Sequence, residues 1–350
     1  MTDDRRRRSP AGLLSSVYGR LTQARRAWYG RRADRRHRLH HPVISVGNLA
    51  SGGSGKTPVV AALARMLRER GERPAILTRG YGRRERVEGV LVVSDGARLL
   101  EPVTRSGDEP QMLARALTGI PVLVSSDRYL AGSFAERHFG ATVSLLDYGF
   151  QHVQLERDVD LLLVSPVDLD DRVLPSGHLR EPLDAARFAD ALLVTGTDDE
   201  VIEVARELGH ESAFRVAPRY GSMSPVGRAL PAAPLPPRGE REPRVVAVAG
   251  IARPERFFAA LRSLDYDVVR ELAFRDHHWF TAQDIDDIQR AARESGASVV
   301  ITTEKDAMRL EGAPFAFLPM TVEIEPALVF ESWLLDRLAA ARYSRVGVPA

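Results

Sequence analysis

Cysteine is absent from this chain of 350 residues, and lysine is nearly absent. Without cysteine the chain has no disulfide, no thiolate metal site and no cysteine nucleophile, which is consistent with a reducing cytosol. Only two of the 49 basic residues are lysines, Lys56 and Lys305. The planar fork of arginine cannot replace a compact ammonium on a flexible stem inside a tight phosphate loop. The two lysines therefore mark two candidate working sites.

Long apolar runs are missing as well. The sequence therefore predicts no signal peptide and no membrane-spanning helix, which would need about 20 apolar residues. Charge is distributed unevenly: residues 1–41 carry 12 arginines against three aspartates, whereas the whole chain has a net charge of +2. A basic arm on an acidic body points to an anionic partner, either phospholipid or nucleic acid.

The basic arm has apolar residues at helical spacing, with arginines between and after them. These apolar residues are Leu13, Leu14, Val17, Tyr18, Leu21, Ala24 and Trp28. An arginine-rich amphipathic helix of this kind lies on the surface of an anionic membrane. The alternative is a solvated basic tail whose apolar stripe packs on the protein's own body. A nucleic-acid-binding arm is a further alternative, but no known nucleic-acid motif follows it.

Beyond the arm, short apolar strands alternate with helical segments, which predicts an α/β fold with a parallel sheet. Prolines interrupt regular structure between residues 225 and 243. We therefore predict a basic amphipathic arm at 1–41, a P-loop-type domain at 42–224, a proline-rich linker at 225–243 and a smaller α/β domain at 244–350 that closes a cleft.

A glycine-rich loop lies between the predicted strand Val43–Val46 and the predicted helix Pro58–Arg70. Its residues are Ala50, Ser51, Gly52, Gly53, Ser54, Gly55, Lys56 and Thr57. Glycines let backbone N–H groups turn onto phosphate oxygens, the lysine reaches the β- and γ-phosphates, and the threonine hydroxyl binds Mg²⁺. Ala50 departs from the usual leading glycine of a P-loop. A plain glycine-rich loop without a ligand is the alternative.

A P-loop needs a carboxylate on a neighbouring strand to hold the magnesium ion. Asp147 directly follows the apolar run Val143–Leu146, at the edge where ligands bind in open α/β sheets. We predict that Asp147 and Thr57 are metal ligands. The alternative for Asp147 is a turn-forming residue before Tyr148 and Gly149.

Several further motifs follow one another in a fixed order from about Val43 to Asp306. They are Thr78-Arg79-Gly80-Tyr81-Gly82, Gly107-Asp108-Glu109-Pro110, Gly149-Phe150-Gln151-His152, Leu179-Arg180-Glu181-Pro182, Ala249-Gly250-Ile251-Ala252-Arg253-Pro254, Asp276-His277-His278 and Thr302-Thr303-Glu304-Lys305-Asp306. Together with the glycine-rich loop, this ordered set resembles the tetraacyldisaccharide 4'-kinases of lipid A biosynthesis.

The resemblance implies transfer of the ATP γ-phosphate, with Mg²⁺, to the 4'-hydroxyl of a tetraacylated glucosamine disaccharide 1-phosphate, giving the 1,4'-bisphosphate. It also implies two α/β domains with the active site between them. An N-terminal helix would meet the inner membrane, so the protein would be peripheral at its cytoplasmic face. No nucleic-acid partner is implied.

The same resemblance suggests that Asp108 is the catalytic base, with His277 as its partner across the cleft and Lys56 as the third catalytic residue. Asp108 as a helix N-cap is the alternative, and neighbouring His278 leaves the choice of histidine open. Arg79 and Arg180 are candidate substrate-binding residues, since a guanidinium suits phosphate. Glu181, which follows Arg180 in the same motif, is the third candidate. Lys305 is placed near the nucleotide or the interdomain cleft.

One departure from the family concerns Tyr148, which stands where the family usually has a second aspartate. It motivates an alternative reading, a degenerate homologue that binds ATP without turnover. A partitioning or metal-chaperone ATPase is a further alternative. Those proteins carry an additional lysine early in the loop, and here Lys56 is the only lysine of the loop.

Overall fold

The computed structural model describes residues 10–53, 55–226, 243–310 and 312–346. Ser54 and most of the predicted proline-rich linker, residues 227–242, lie outside the described residues. Two sheets organise the described part of the chain, one with nine strands and one with five.

The larger sheet has the strand order β14-β8-β7-β6-β1-β5-β2-β4-β3. Its strands are β1 (Val43–Asn48), β2 (Pro74–Thr78), β3 (Leu91–Ser94), β4 (Val122–Val124), β5 (Val143–Asp147), β6 (Val159–Val164), β7 (Ala191–Thr195), β8 (Ala213–Tyr220) and β14 (Met320–Glu325). All neighbours pair in parallel except the two edge strands, β3 and β14, which are antiparallel. The central strands are buried on both faces, which explains their continuous apolar runs.

The smaller sheet has the order β11-β10-β12-β13-β9. Its strands are β9 (Ser224–Pro225), β10 (Arg244–Ala249), β11 (Asp267–Ala273), β12 (Val299–Thr303) and β13 (Ala316–Leu318). Only β9, at one edge, is antiparallel to its neighbour. The predicted α/β fold with a parallel main sheet and a second, smaller α/β unit is thereby confirmed.

Helices connect the strands and cover the sheets. They are α1 (Pro10–Arg31), α2 (Lys56–Glu69), α3 (Val103–Ser106), α4 (Asp108–Ala116), α5 (Arg128–Phe139), α6 (Asp198–Glu207), α7 (Pro254–Ser263), α8 (Ala282–Ser295), α9 (Glu304–Ala307) and α10 (Ala327–Val346). Most predicted elements appear within a few residues of their predicted bounds. The sequence did not predict β8, β9, β13, β14 or α6, nor the short helices α3 and α9.

The C-terminal part of the chain returns to the larger sheet. β14 pairs with β8, and α10 places Phe330, Leu334 and Leu338 in the core of that sheet. The predicted second domain, 244–350, is therefore wrong at its end, because its last strand and helix pack on the first unit. Its predicted start also needs correction, since β9 lies before residue 243 and pairs within the smaller sheet.

Helix α1 packs on the body through small and polar side chains. Ser15 bonds Ser176, Gln23 bonds Asp184, and Gly19 lies against Pro182. Its apolar residues point outward: Leu13, Leu14 and Leu21 are each about 60% exposed. The alternative in which the apolar stripe packs on the protein's own body is therefore wrong. Among the described residues, no helix is long and apolar enough to cross a membrane.

Candidate active site

The predicted phosphate loop lies between β1 and α2. Gly55 adopts a left-handed conformation, with φ of 82°, and Lys56 then begins α2 two residues earlier than predicted. Asn48, at the end of β1, holds the loop from inside: its side-chain N–H donates to the Ala50 carbonyl at 2.6 Å, and its Oδ1 accepts from Lys56 Nζ at 2.8 Å. The lysine is thereby buried at the base of the loop.

The loop residues do not all face the same cleft. Gly53, Gly55, Lys56 and Thr57 line a cleft of about 320 Å³ between the two sheets. Ser51 instead donates its N–H to the His178 carbonyl at 2.7 Å, so that N–H is not turned toward a phosphate. Ala50 is buried and pairs with Leu179. Gly52 lies against Ala252 of the second unit, and a methyl group added there would meet Ala252 Cβ at 3.1 Å.

Asp147 ends β5, beside β1, and is fully buried. Neither carboxylate oxygen has a hydrogen-bond partner at ordinary geometry among the described residues, although Thr78 lies near. Burial raises the pKa of Asp147 to about 7, against the attraction of Lys56, and burial lowers the pKa of Lys56 to about 7. A buried, unpartnered carboxylate beside the phosphate loop fits a Mg²⁺ ligand, with the Thr57 hydroxyl as the second protein donor.

Asp108 and His277 meet across the cleft. Asp108 Oδ2 lies 2.8 Å from His277 Nδ1, and its other oxygen lies 3.2 Å from Nε of Arg309, which is itself fully buried as a side chain. The predicted alternative, an N-cap role for Asp108, is wrong: Asp108 is the first residue of α4, and Gly107 occupies the cap position. The hydrogen bond that the His277 ring donates to Asp108 raises the pKa of His277.

Neighbouring His278 does not share this arrangement. Its Nε2 lies 3.0 Å from Asp284 Oδ2, at the start of α8, and its ring stacks on Phe274. His277 has a positive φ of 58°, and Gly82 leaves room for its ring, because a methyl group at Gly82 would lie 2.6 Å from Nδ1. The structure therefore brings His277, and not His278, to the cleft.

Lys305, the second lysine, lies in a cluster of charged residues with Glu109, Asp276 and His277. Its ammonium lies 3.1 Å from Glu109 Oε1, 2.9 Å from Asp276 Oδ1 and 3.3 Å from His277 Nε2. Asp108, Glu109 and His277 bring ligand atoms within 4.8 Å of one another, as a metal site would. Because the Lys305 ammonium already neutralises Glu109, the cluster suits a proton-accepting pair better than a second cation.

Tyr148 lines both the cleft that holds Lys56 and a second cleft of about 280 Å³. It has a φ of 60°, unusual for a bulky residue. Lys56 Nζ lies 3.9 Å from the centre of its ring, a cation–π contact. Burial raises the pKa of Tyr148 well above its usual value, so the side chain is a neutral phenol.

The second cleft is lined by arginines, among them Arg79 and Arg180, the two arginines predicted to bind substrate. The third predicted substrate residue, Glu181, is buried and accepts two hydrogen bonds from Arg26 of α1, each of 2.9 Å. Sequence reasoning missed Arg128, which is buried beneath the same cleft. It also missed Glu109 and Arg309. Glu109 stood inside a quoted motif, whereas no signal distinguished Arg128 or Arg309 from the other arginines.

A strand–loop–helix phosphate site, a buried carboxylate on the adjacent strand and a carboxylate–imidazole pair close to the cleft are the features of a P-loop phosphotransferase. Comparison with known sequences gives the particular family. The sequence model described as Tetraacyldisaccharide-1-P 4'-kinase matches residues 11–339. The chain therefore belongs to the tetraacyldisaccharide 4'-kinase family.

Two relatives and one solved structure show how far the similarity extends. A tetraacyldisaccharide 4'-kinase of Syntrophus aciditrophicus is 38% identical over 365 aligned positions, covering 95% of each chain. That of Koribacter versatilis is 42% identical over 303 positions, 85% of this chain and 87% of the relative. A crystal structure described as "apo" form LpxK from Aquifex aeolicus in complex with ATP has a TM-score of 0.73 and 32% identity, covering 93% of this chain and 98% of the other.

Proposed function

We propose that this protein transfers the γ-phosphate of ATP to the 4'-hydroxyl of a tetraacylated disaccharide 1-phosphate, and that Asp108 and His277 accept the proton of that hydroxyl. One observation carries the assignment of roles. The 2.8 Å contact joins Asp108 of the first unit to His277 of the second, beside the cleft that holds Lys56. Phosphoryl transfer to a sugar needs a proton acceptor placed in this way.

Lys56 and the backbone of the phosphate loop bind the nucleotide phosphates. The lysine is held at the loop by Asn48, so its side chain is in position before ATP arrives. The phosphates of ATP favour its charged form, and a positioned charge stabilises the transition state without reorganisation during the reaction. Thr57 and Asp147 would hold Mg²⁺, which would supply positive charge to the phosphate oxygens.

Asp108 is buried between His277 and Arg309, and this fixes the direction of its carboxylate. The hydrogen bond to Asp108 raises the pKa of His277, and the neighbouring Lys305 ammonium opposes that rise only in part. The pair can therefore take a proton from the acceptor and share it between carboxylate and ring. Lys305 keeps Glu109 neutralised and positions the imidazole.

Arg79, Arg128 and Arg180 surround the cleft on the other side of Tyr148 and bind the anionic and hydroxyl groups of the acceptor. Guanidinium groups suit phosphate oxygens through paired N–H donors. Burial lowers the pKa of Arg128 to about 10, which still leaves it charged at neutral pH.

Helix α1 attaches the enzyme to the cytoplasmic face of the inner membrane. Its outward residues Leu14, Val17 and Leu21 are between 49% and 63% exposed, and exposed arginines accompany them. An apolar, basic face of this kind binds the headgroup region of an anionic bilayer, where a tetraacylated acceptor is found. We propose no nucleic-acid partner.

Incubation with ATP, Mg²⁺ and a tetraacyl disaccharide 1-phosphate in mixed micelles tests this function. We expect labelled phosphate to appear on the lipid. ATP binding without any transfer would favour a degenerate homologue, for which Tyr148 is the motivating residue.

A further inference from the structure

One arginine of α1 is buried. Arg26 donates from Nε and Nη2 to the two carboxylate oxygens of Glu181, each at 2.9 Å, and both side chains are only 7% exposed. The same guanidinium donates to the Phe150 carbonyl at 3.0 Å and lies 4.2 Å from the centre of the Phe150 ring. Arg26 thus contacts two separate loops of the body.

Both loops carry residues of the site. Glu181 directly follows Arg180, whose guanidinium lies 5.8 Å from the Tyr148 ring. Phe150 follows Asp147 and Tyr148, and it fits closely against β1, because a methyl group added at Gly47 would lie 2.3 Å from Phe150 Cβ. A single side chain of α1 therefore holds the loop after β5 and the loop of Arg180 in one arrangement.

Helix α1 also lies beside the second cleft, which is lined by Arg79, Arg128 and Arg180 and is called the acceptor cleft below. A cavity of about 290 Å³ lies between the helix and the body, lined by Tyr18 and Thr22 of α1 and by Arg180. Arg25, Tyr81, Gln151 and Arg180 line both this cavity and the cleft behind Tyr148. A change in the position of α1 would therefore change the shape of the acceptor cleft.

We propose that Arg26 and Glu181 are positioning residues, through which the membrane-binding helix sets the geometry of the acceptor cleft. This inference rests on the proposed function and replaces the prediction that Glu181 binds substrate. Removing either partner leaves an uncompensated buried charge, which the loop relieves by moving. Displacing an acceptor by about 1 Å can cost up to about 100-fold in rate.

Glu181→Gln is the most informative variant, because it breaks the charged pair without removing a positive charge from α1. In the micelle assay we expect kcat/KM for the acceptor to fall roughly tenfold or more, by the same positioning argument. The KM for ATP should stay unchanged. Binding to vesicles of phosphatidylglycerol and phosphatidylethanolamine should also stay unchanged, because the outward face of α1 is intact. The double variant Arg26→Ala/Glu181→Gln should be little worse than either single variant.

Arg20→Ala is the matched variant, because Arg20 is exposed on the same helix and carries the same charge. Any loss of transfer that it shows measures anchoring alone. The proposal requires Arg26→Ala to lose about tenfold more acceptor kcat/KM than Arg20→Ala at equal vesicle binding.

Three results would overturn the proposal. The first is an unchanged kcat/KM for the acceptor in Glu181→Gln. The second is an equal loss of acceptor kcat/KM in Arg20→Ala and Arg26→Ala. The third is a loss of transfer in Glu181→Gln that is fully explained by weaker binding of an ATP analogue and a smaller fraction of folded protein. The last result would make the pair purely structural. Failure of the proposed function would show separately, as absence of labelled lipid with the unaltered protein.

Discussion

At the scale of single residues, the rarity of lysine was informative because it separated required ammonium groups from general positive charge. Both lysines lie at the cleft between the two units. Lys56 is held by Asn48 inside the phosphate loop, whereas Lys305 lies among Glu109, Asp276 and His277. An arginine in either place would bring a larger, planar group into a site shaped for a point charge.

Lys56→Ala should reduce phosphoryl transfer by at least about 10²–10³-fold, because it removes charge that stabilises the transition state. The fold should survive. Asp147, with a pKa raised to about 7, can take up a proton when its neighbouring ammonium is lost. Steady-state transfer and circular dichroism together check both statements. Near-normal turnover would remove Lys56 from the active site.

Asp108→Ala and His277→Ala should each lower kcat by roughly 10²–10⁴-fold, the usual contribution of a positioned proton acceptor. The double variant should fall little further, because residues that act as a unit are not additive. His278→Ala is the matched control and should be much milder, since His278 bonds Asp284 instead. Fully additive losses, or a larger defect in His278→Ala, would contradict the assignment.

The Asp108–His277 contact should also make stability depend on pH. The pKa of His277 is raised in the folded protein, so the protonated ring is favoured by folding. Its contribution to stability is present below the unfolded pKa of about 6.5 and is lost as pH rises through the folded pKa. We expect the difference in unfolding free energy between the native protein and His277→Ala to shrink as pH rises. A difference that grows with pH would contradict this.

At the scale of elements, α1 is the feature whose orientation the sequence left open. Its apolar spacing is equally compatible with packing on the body and with facing outward. The structure shows small and polar residues inward and apolar residues outward, because Gly19, Gln23 and Arg26 find specific partners on the body. The helix thereby keeps its apolar residues exposed beside exposed arginines.

Replacing Leu14, Val17 and Leu21 together by serine should weaken binding to anionic vesicles by about tenfold or more. A fully buried leucine contributes roughly 1.5–3 kcal/mol, and even part of that for three side chains exceeds the 1.4 kcal/mol of a tenfold change. ATP binding should not change. Ile202→Ser, at a residue equally exposed on α6, is the control and should leave co-sedimentation unaffected. Unchanged co-sedimentation of the triple variant would rule out this face as the anchor.

At the scale of the whole molecule, the two units are not consecutive in the chain. Two domains joined by one linker would need a single crossing, whereas this chain crosses from the larger unit to the smaller one and back again. After the smaller sheet it returns to add β14 and α10 to the larger one. The nucleotide-binding unit is therefore completed only by the end of the chain. This arrangement also ties the two sides of the active-site cleft together.

Leu334→Ala should lower the free energy of unfolding of the nucleotide-binding unit by about 2–5 kcal/mol, because Leu334 is fully buried in its core. Leu328→Ala lies on the same helix but at an exposed position, and it should change stability by less than about 0.5 kcal/mol. Chemical denaturation of each variant, with and without bound nucleotide, measures the change in the free energy of unfolding. Equal effects of the two substitutions would contradict the packing of α10 on the first unit.

The sequence by itself determined the features that depend on local pattern. A strand, a glycine-rich turn with Lys56 and a following helix specify a phosphate loop within some fifteen residues, and the ordered motifs identify the family. Apolar runs also predicted the central strands, because strands that are buried on both faces are continuously apolar. The edge strand β14 and its neighbour β8 alternate or carry charges, and they were missed for that reason.

Only the tertiary structure decided which residues distant in the sequence come into contact. Asp108 and His277 are 169 positions apart in the chain, and Arg26 and Glu181 are 155 apart. No local propensity encodes such contacts, since they result from the packing of distant elements around two sheets. The same packing placed His277, and not His278, beside Asp108, turned Glu181 toward Arg26 and buried Asp147 beside the phosphate loop. These choices follow from burial and long-range contact, which a linear pattern does not contain.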